Sequence, residues 1–257
     1  MTTTVYNLKL DGVGPVDLTV DEQGEGRPFL LLHGGGGPGT VAGFGALLAG
    51  SRPARVISPT HPGFGGTPRP EALHTVAGLA GLYVALLDQL GLDDVTVVGN
   101  SIGGWIAAEM ALLASPRVSG IILVNGVGIQ VPDHPIADFF SLTMDQVTQL
   151  SYHDPDRFRI DPATLPPAAQ AGMAGNRATL AVYAGTAMSD PTLAGRLSVV
   201  ETPTWVLWGD SDQIVDPDYG RAFAAAIPSA RFQLLTDTGH MPQLETPDQL
   251  LQAIWAS

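Results

Sequence analysis

The 257-residue chain contains no cysteine, which removes disulfide frameworks, thiolate metal sites and cysteine nucleophiles together. It is also poor in positive charge. Lys and Arg number 12 against 25 Asp and Glu, for a formal net charge of −13, and Lys9 is the one lysine. A surface this acidic repels phosphate backbones and anionic lipid, so neither nucleic acid nor a membrane surface is expected as a partner. No apolar run reaches the length of about 18 residues that a membrane-spanning helix needs. The opening MTTTVYNLKL lacks a basic stretch followed by an apolar one, so it does not resemble a signal peptide. A cytoplasmic protein, monomeric or homodimeric, is the expectation.

What the chain does have is 45 % apolar residues, with 31 Gly and 21 Pro, and the glycines cluster in motifs. Val5–Leu10 and Val16–Val20 alternate apolar and polar residues about Asp11-Gly12, the pattern of an antiparallel hairpin. Six short apolar runs follow: Phe29–Leu32, Val56–Ser58, Val95–Val98, Ile121–Val124, Thr204–Trp208 and Phe232–Leu235. Such runs are expected of strands buried on both faces. Helical spacing appears over Val76–Leu90, Ile102–Ala114 and Tyr219–Ala226. Strands alternating with helices predict an α/β fold with a mostly parallel, eight-stranded sheet flanked by helices.

The alternation breaks once, over residues 126–199, where Ile136–Phe140, Met144–Leu150, Pro166–Gly172 and Asn176–Ala187 carry helical patterns. This stretch is expected to be a helical cap over the carboxyl edge of the sheet. Residues 1–125 and 200–257 then form the core.

The sharpest motif is Gly99-Asn100-Ser101-Ile102-Gly103, with a strand run before it and a helix after it. A side chain exposed at so tight a strand-to-helix turn needs strained φ/ψ, and its neighbours at −2 and +2 must be small. The turn would hold Ser101 at the positive end of a helix dipole. A second motif, His33-Gly34-Gly35-Gly36-Gly37-Pro38-Gly39, follows a strand and frees backbone N–H groups. One of them, at Gly35 or Gly36, together with the N–H of Ile102 could form an oxyanion hole. A phosphate-binding loop is disfavoured, because no Lys follows the glycines. His33 is expected to shape the loop.

Two further turns follow strands: Trp208-Gly209-Asp210-Ser211-Asp212 and Gly239-His240-Met241-Pro242-Gln243-Leu244-Glu245. A hydroxyl nucleophile needs a neutral imidazole to take its proton, and a carboxylate to fix that imidazole's tautomer. His240 suits the base. Asp210, Asp212, Asp216 and Asp218 compete for the acid, and spacing alone leaves the choice open. Position 125, after the preceding strand, is Asn rather than an acid. His61, His74, His134 and His153 show no metal-ligand spacing with a carboxylate, so no metal and no cofactor is expected. Phe44, Trp105, Phe139, Phe140, Met144, Tyr183 and Met241, with Phe64 and Met188, are candidates to line an apolar pocket.

These motifs, with Pro62-Gly63-Phe64-Gly65-Gly66-Thr67, appear in the order found in α/β-hydrolase-fold serine hydrolases, which the chain resembles along nearly its full length. The resemblance implies Ser101 as nucleophile, Asp212 as acid, His240 as base, and the amides of Ile102 and of Gly35 or Gly36 as oxyanion donors. It implies cleavage of a carboxylic ester, or a related acyl bond, of a small hydrophobic substrate. The glycine run and Gly99-Asn100-Ser101 also resemble the carbon–carbon hydrolases of meta-cleavage products. This chain departs from them at Met241, where those enzymes usually have Trp, and in Thr40–Phe44, which lacks their Asn. Their substrate-binding Arg has one weak counterpart, Arg177. Carbon–carbon cleavage is the alternative, and a non-catalytic binding protein of the same fold a further one.

Overall fold

The computed structural model describes residues 1–257, the side chain at position 162 excepted. Eight strands, β1 (Thr2–Leu10), β2 (Gly14–Gln23), β3 (Arg27–Leu32), β4 (Ala54–Pro59), β5 (Val95–Asn100), β6 (Val118–Val124), β7 (Thr204–Gly209) and β8 (Ala230–Leu235), form one sheet. Their spatial order is β1-β2-β4-β3-β5-β6-β7-β8. β1 and β2 pair antiparallel, as do β2 and β4. Every pairing from β4 across to β8 is parallel. All eight predicted strands are present. β5 is buried at all six positions, as a central parallel strand must be when helices cover both faces.

One face carries α2 (Val76–Leu90), α3 (Ile102–Leu112) and α8 (Pro217–Ala225) over a core that includes Leu79, Leu86, Ile106, Trp208 and Phe223. The other carries α1 (Gly39–Ser51) and α10 (Pro247–Ala256) over Phe29, Leu31, Val98 and Leu207. Local chemistry sets the helix ends. Thr75 accepts from the Gly78 N–H at 3.0 Å to start α2, and Gly91, left-handed at φ 59°, ends it. Asp216 accepts from the Tyr219 N–H at 2.8 Å, and Pro217 sits at the first helical position of α8.

Between β6 and β7 lie α4 (Met144–Ser151), α5 (Pro155–Phe158), α6 (Pro167–Ala184) and α7 (Leu193–Arg196), and α9 (Pro242–Glu245) follows β8. Two expectations need correction here. Residues 136–140 are not helical, because Pro132 and Pro135 interrupt the segment and the Ala137 N–H bonds outward to Ile214 O at 2.9 Å. The patterns over 166–172 and 176–187 belong to the single helix α6, which continues through Gly172 and Gly175. Among the described residues, no helix is long and apolar enough to cross a membrane.

Candidate active site

Ser101 stands between β5 and α3 with φ 57° and ψ −119°, a conformation an L-residue rarely adopts. The turn is closed by Ser101 N–H to Val124 O at 3.1 Å, and by Gly104 N–H to Ser101 O at 2.9 Å. The flanking glycines are required by packing. A Cβ on Gly99 would lie 2.1 Å from Gly103 O, and one on Gly103 would lie 2.4 Å from Leu32 O. Ile102 begins α3, so its N–H has no intrahelical acceptor.

The loops after β7 and β8 bring Asp212 and His240 together, with His240 Nδ1 2.8 Å from Asp212 Oδ2. Asp212 is 2 % exposed and His240 5 %. The second carboxylate oxygen, Oδ1, accepts from the N–H groups of Ile214 at 2.8 Å and Val215 at 3.2 Å. Asp210 instead accepts from Ser211 Oγ at 2.8 Å and the Thr238 N–H at 3.3 Å, while Asp216 caps α8. Of the four competing acids, then, Asp212 is the one that meets the imidazole. Ser101 Oγ and that imidazole share no hydrogen bond in this structure. The serine is tied to the pair through its neighbour: Asn100 Nδ2 donates to His240 O at 3.0 Å, and Asn100 Oδ1 accepts from Gln243 Nε2 at 3.0 Å.

The insert also holds the base loop. The His240 N–H donates to Ser151 O at 2.6 Å, and the Gln213 N–H to Leu150 O at 3.0 Å, both at the end of α4. Glu245 accepts from the Gly239 N–H at 2.7 Å and from the Asp154 N–H at 2.9 Å.

The glycine run is oriented by two buried histidines. His61 donates its backbone N–H to His33 Nε2 at 3.1 Å, so His33 carries its proton on Nδ1 and donates it to Gly34 O at 2.8 Å. His61 Nε2 donates to His33 O at 2.9 Å, and its Nδ1 accepts from the Tyr83 hydroxyl. Every peptide here is trans, so each captured carbonyl directs the following N–H the opposite way: Gly34's behind His33 O, and Gly35's behind Gly34 O. Burial holds the His33 imidazole down at about 4 and the His61 imidazole well below its ordinary range, with the neighbouring His33 adding to the second effect. Gly34, not among the oxyanion candidates, lies against Ser101, since a Cβ there would be 3.1 Å from Ser101 Cβ. Gly35 faces Leu180 of α6, and Asn176 of α6 donates to Gly36 O at 3.1 Å.

The apolar candidates scatter. Phe44, on the glycine-rich helix α1, is 2 % exposed and packs in the core with Phe29 and Leu48. Phe64 is likewise fully buried in the core, against His33 and His61. Trp105 lies against Gly128, and its Nε1 donates to Glu109 at 3.3 Å. Tyr183 donates to Pro62 O at 2.9 Å. Met188, nearly buried, is left-handed at φ 49°. Phe139 and Phe140 meet edge to face with centroids 5.4 Å apart, and the Arg177 guanidinium stands 4.8 Å from the first ring and 5.7 Å from the second. That guanidinium donates to the carbonyls of Phe139 at 2.8 Å and Leu142 at 3.1 Å. Met144 is exposed at the start of α4, and Met241 precedes α9 with its Sδ 3.7 Å from Gln243 Nε2.

A cleft of about 510 Å³ is lined by other residues: Ile129, Gln130, Val131, Pro132, Pro135, Ile136, Ala137, Asp138, Thr186, Ala187, Ser189 and Tyr219. It begins two residues beyond Val127, whose N–H donates to Ser101 O at 3.2 Å. Its one charged lining residue is Asp138. Among the described residues, no group of three or more His, Cys, Asp or Glu is placed to hold a metal ion.

Comparison with known proteins agrees with this architecture. A 2-hydroxymuconate semialdehyde hydrolase of Pseudomonas putida is 27 % identical, over 91 % of this chain and 87 % of that protein. A thermophilic esterase of Thermogutta terrifontis superposes with a TM-score of 0.78 at 25 % identity, over 100 % of this chain and 97 % of that one. A meta-cleavage product hydrolase of Pseudomonas fluorescens has the same fold, with a TM-score of 0.78 at 21 % identity over 97 % of this chain and 95 % of that one. The sequence profile of the alpha/beta hydrolase family matches residues 29–253, so the chain, a hydrolytic enzyme, belongs to that family.

Proposed function

We propose that the chain is a serine hydrolase that cleaves a carboxylic ester of a small, neutral, hydrophobic substrate. The observation that carries this reading is the buried Asp212–His240 pair beside a serine held in strained geometry at a helix N-terminus. Asp212 accepts the Nδ1 proton, which leaves Nε2 as the free base. His240 takes the Ser101 proton as Oγ attacks the ester carbonyl, the hydrogen bond between Oγ and Nε2 forming when substrate binds. The oxyanion is stabilised by the Ile102 N–H and by an N–H of the glycine run, Gly35 or Gly36. His240 then protonates the departing alcohol. Water, deprotonated by the same imidazole, releases the acid from Ser101. The helices of residues 126–199 act as the cap.

Short-chain nitrophenyl esters test the reading. Turnover that disappears in Ser101→Ala supports it, and absence of turnover together with no phosphonate labelling of Ser101 contradicts it.

A second reading is carbon–carbon hydrolysis of meta-cleavage products. It is favoured by the similarity to the 2-hydroxymuconate semialdehyde hydrolase of Pseudomonas putida and by Asn100 beside Ser101. It needs a cation for the substrate carboxylate, and Arg177 is committed to two backbone carbonyls. A panel of coloured ring-fission products decides it by loss of colour.

A further inference from the structure

Asn125 follows the last residue of β6 and is completely buried. Its backbone is left-handed at φ 48°, a region Asn tolerates but Gly would occupy more easily. Backbone geometry alone therefore does not call for a side chain here. The side chain has specific partners. Nδ2 donates to Asp212 Oδ2 at 2.7 Å, and Oδ1 accepts from the Gly209 N–H at 3.4 Å. One partner only accepts and the other only donates, so the amide satisfies both in a single orientation. Oδ2 is the same oxygen that receives His240 Nδ1 at 2.8 Å, and Oδ1 of Asp212 is taken by two backbone N–H groups. Among the described residues, Asn125 is thus the one side chain besides the imidazole that hydrogen-bonds this carboxylate.

We infer that Asn125 is a positioning residue for the base: it fixes the Asp212 carboxylate in one orientation and, by sharing the charge on Oδ2, limits how strongly that oxygen favours a protonated His240. The inference rests on the proposed triad. Its chemistry is direct. A carboxylate that loses a donor becomes a stronger acceptor for the remaining one, and the imidazolium is then favoured to higher pH. The other charged groups on the loops around the pair are Asp210, Glu245, and His153, which meets Ser211 Oγ at 2.8 Å and Asp237 at 3.7 Å. His134 and Asp216 pair at 2.8 Å on the far side of the acid loop. None of these changes in the variants below.

Asn125→Gly keeps the left-handed backbone and deletes the amide, whereas Asn125→Ala deletes the amide without the added backbone freedom of glycine. The His240 ring titration is followed by NMR in the intact chain, alongside the pH profile of kcat/KM on a nitrophenyl ester. In Asn125→Gly, the ring titration and the acid limb are expected to move up by up to about one pH unit, and kcat to fall with KM unchanged. Asn125→Ala, which deletes the same donor, should move both in the same direction. A parent-like ring titration with parent-like kcat in folded Asn125→Gly overturns the inference, even where thermal stability falls. Should that variant not fold, a parent-like titration in Asn125→Ala overturns it. If the parent itself turns over no ester, the hydrolytic reading fails separately, while the ring titration still decides the role of Asn125.

Discussion

His33 and His61 lie face to face, with ring centroids 3.7 Å apart, and their ring N–H groups hold the two carbonyls at the start of the glycine run. Both rings are buried, and all four ring nitrogens are taken by Gly34 O, the His61 N–H, the Tyr83 hydroxyl and His33 O, so neither ring has a free nitrogen to serve as the base. Their role is to orient peptide planes whose N–H groups are the oxyanion candidates.

That burial links stability to pH. The unfolded chain binds a proton at His33 below about 6.5, while the folded chain refuses it until about 4. Stability is therefore full above pH 6.5 and declines as pH falls toward 4, by roughly 3 kcal/mol for His33 alone. Urea denaturation at pH 7.5 and pH 5 checks this. His33→Gln should be less stable at pH 7.5, and its own loss between the two pH values should be smaller by roughly 2 kcal/mol. An unchanged pH dependence in that variant contradicts the assignment.

Ser101 is a conformational cost as well as the proposed nucleophile. Ser101→Ala should lower kcat by about 10⁴–10⁶ with stability unchanged, as should His240→Ala for activity. Ser101→Gly should lose the same activity yet be more stable than Ser101→Ala by about 1 kcal/mol, because glycine relieves the strain at φ 57°. Thermal unfolding of the two variants side by side makes the comparison.

Glu109, on the helix that Ser101 begins, is 6 % exposed and pairs with both terminal nitrogens of Arg196, at 2.7 and 2.8 Å. Asp190 meets the same guanidinium at 2.8 Å. Arg196→Met leaves a buried carboxylate without its cation and should destabilise by about 2–3 kcal/mol, a figure kept low because Arg196 is partly exposed. The pair Glu109→Leu with Arg196→Met should recover most of that loss in chemical denaturation.

Arg177 separates the two functional readings. Its guanidinium braces the 139–142 segment, so Arg177→Gln should raise KM for neutral and carboxylate-bearing esters alike. A loss at least tenfold greater for the carboxylate-bearing ester would show that this side chain binds substrate charge instead.

Much of this architecture is legible in the sequence because buried parallel strands announce themselves as short apolar runs, and because Gly99-x-Ser101-x-Gly103 between a strand and a helix marks its turn, even though only Gly99 is forced within the turn and Gly103 is forced by Leu32 O of β3. What escapes is set by tertiary packing. The stretch Gly39–Ser51 carries Gly39, Gly43, Gly45 and Gly50, a poor helix by propensity, yet burial of Val41, Phe44 and Leu48 makes it α1. Asn125 and Asp212 are separated by 87 positions and meet only because β6 and β7 are neighbours. The choice of Asp212 needed a family resemblance, since the loop geometry that turns Asp210 toward Thr238 is not written in spacing.

The central claim is that Ser101 is a nucleophile made reactive by His240. A fluorophosphonate probe followed by peptide mass spectrometry tests it most directly. The account predicts one equivalent of label on Ser101, with labelling slowed by orders of magnitude in His240→Ala. Label on another residue, or equal labelling rates with and without the imidazole, would contradict it.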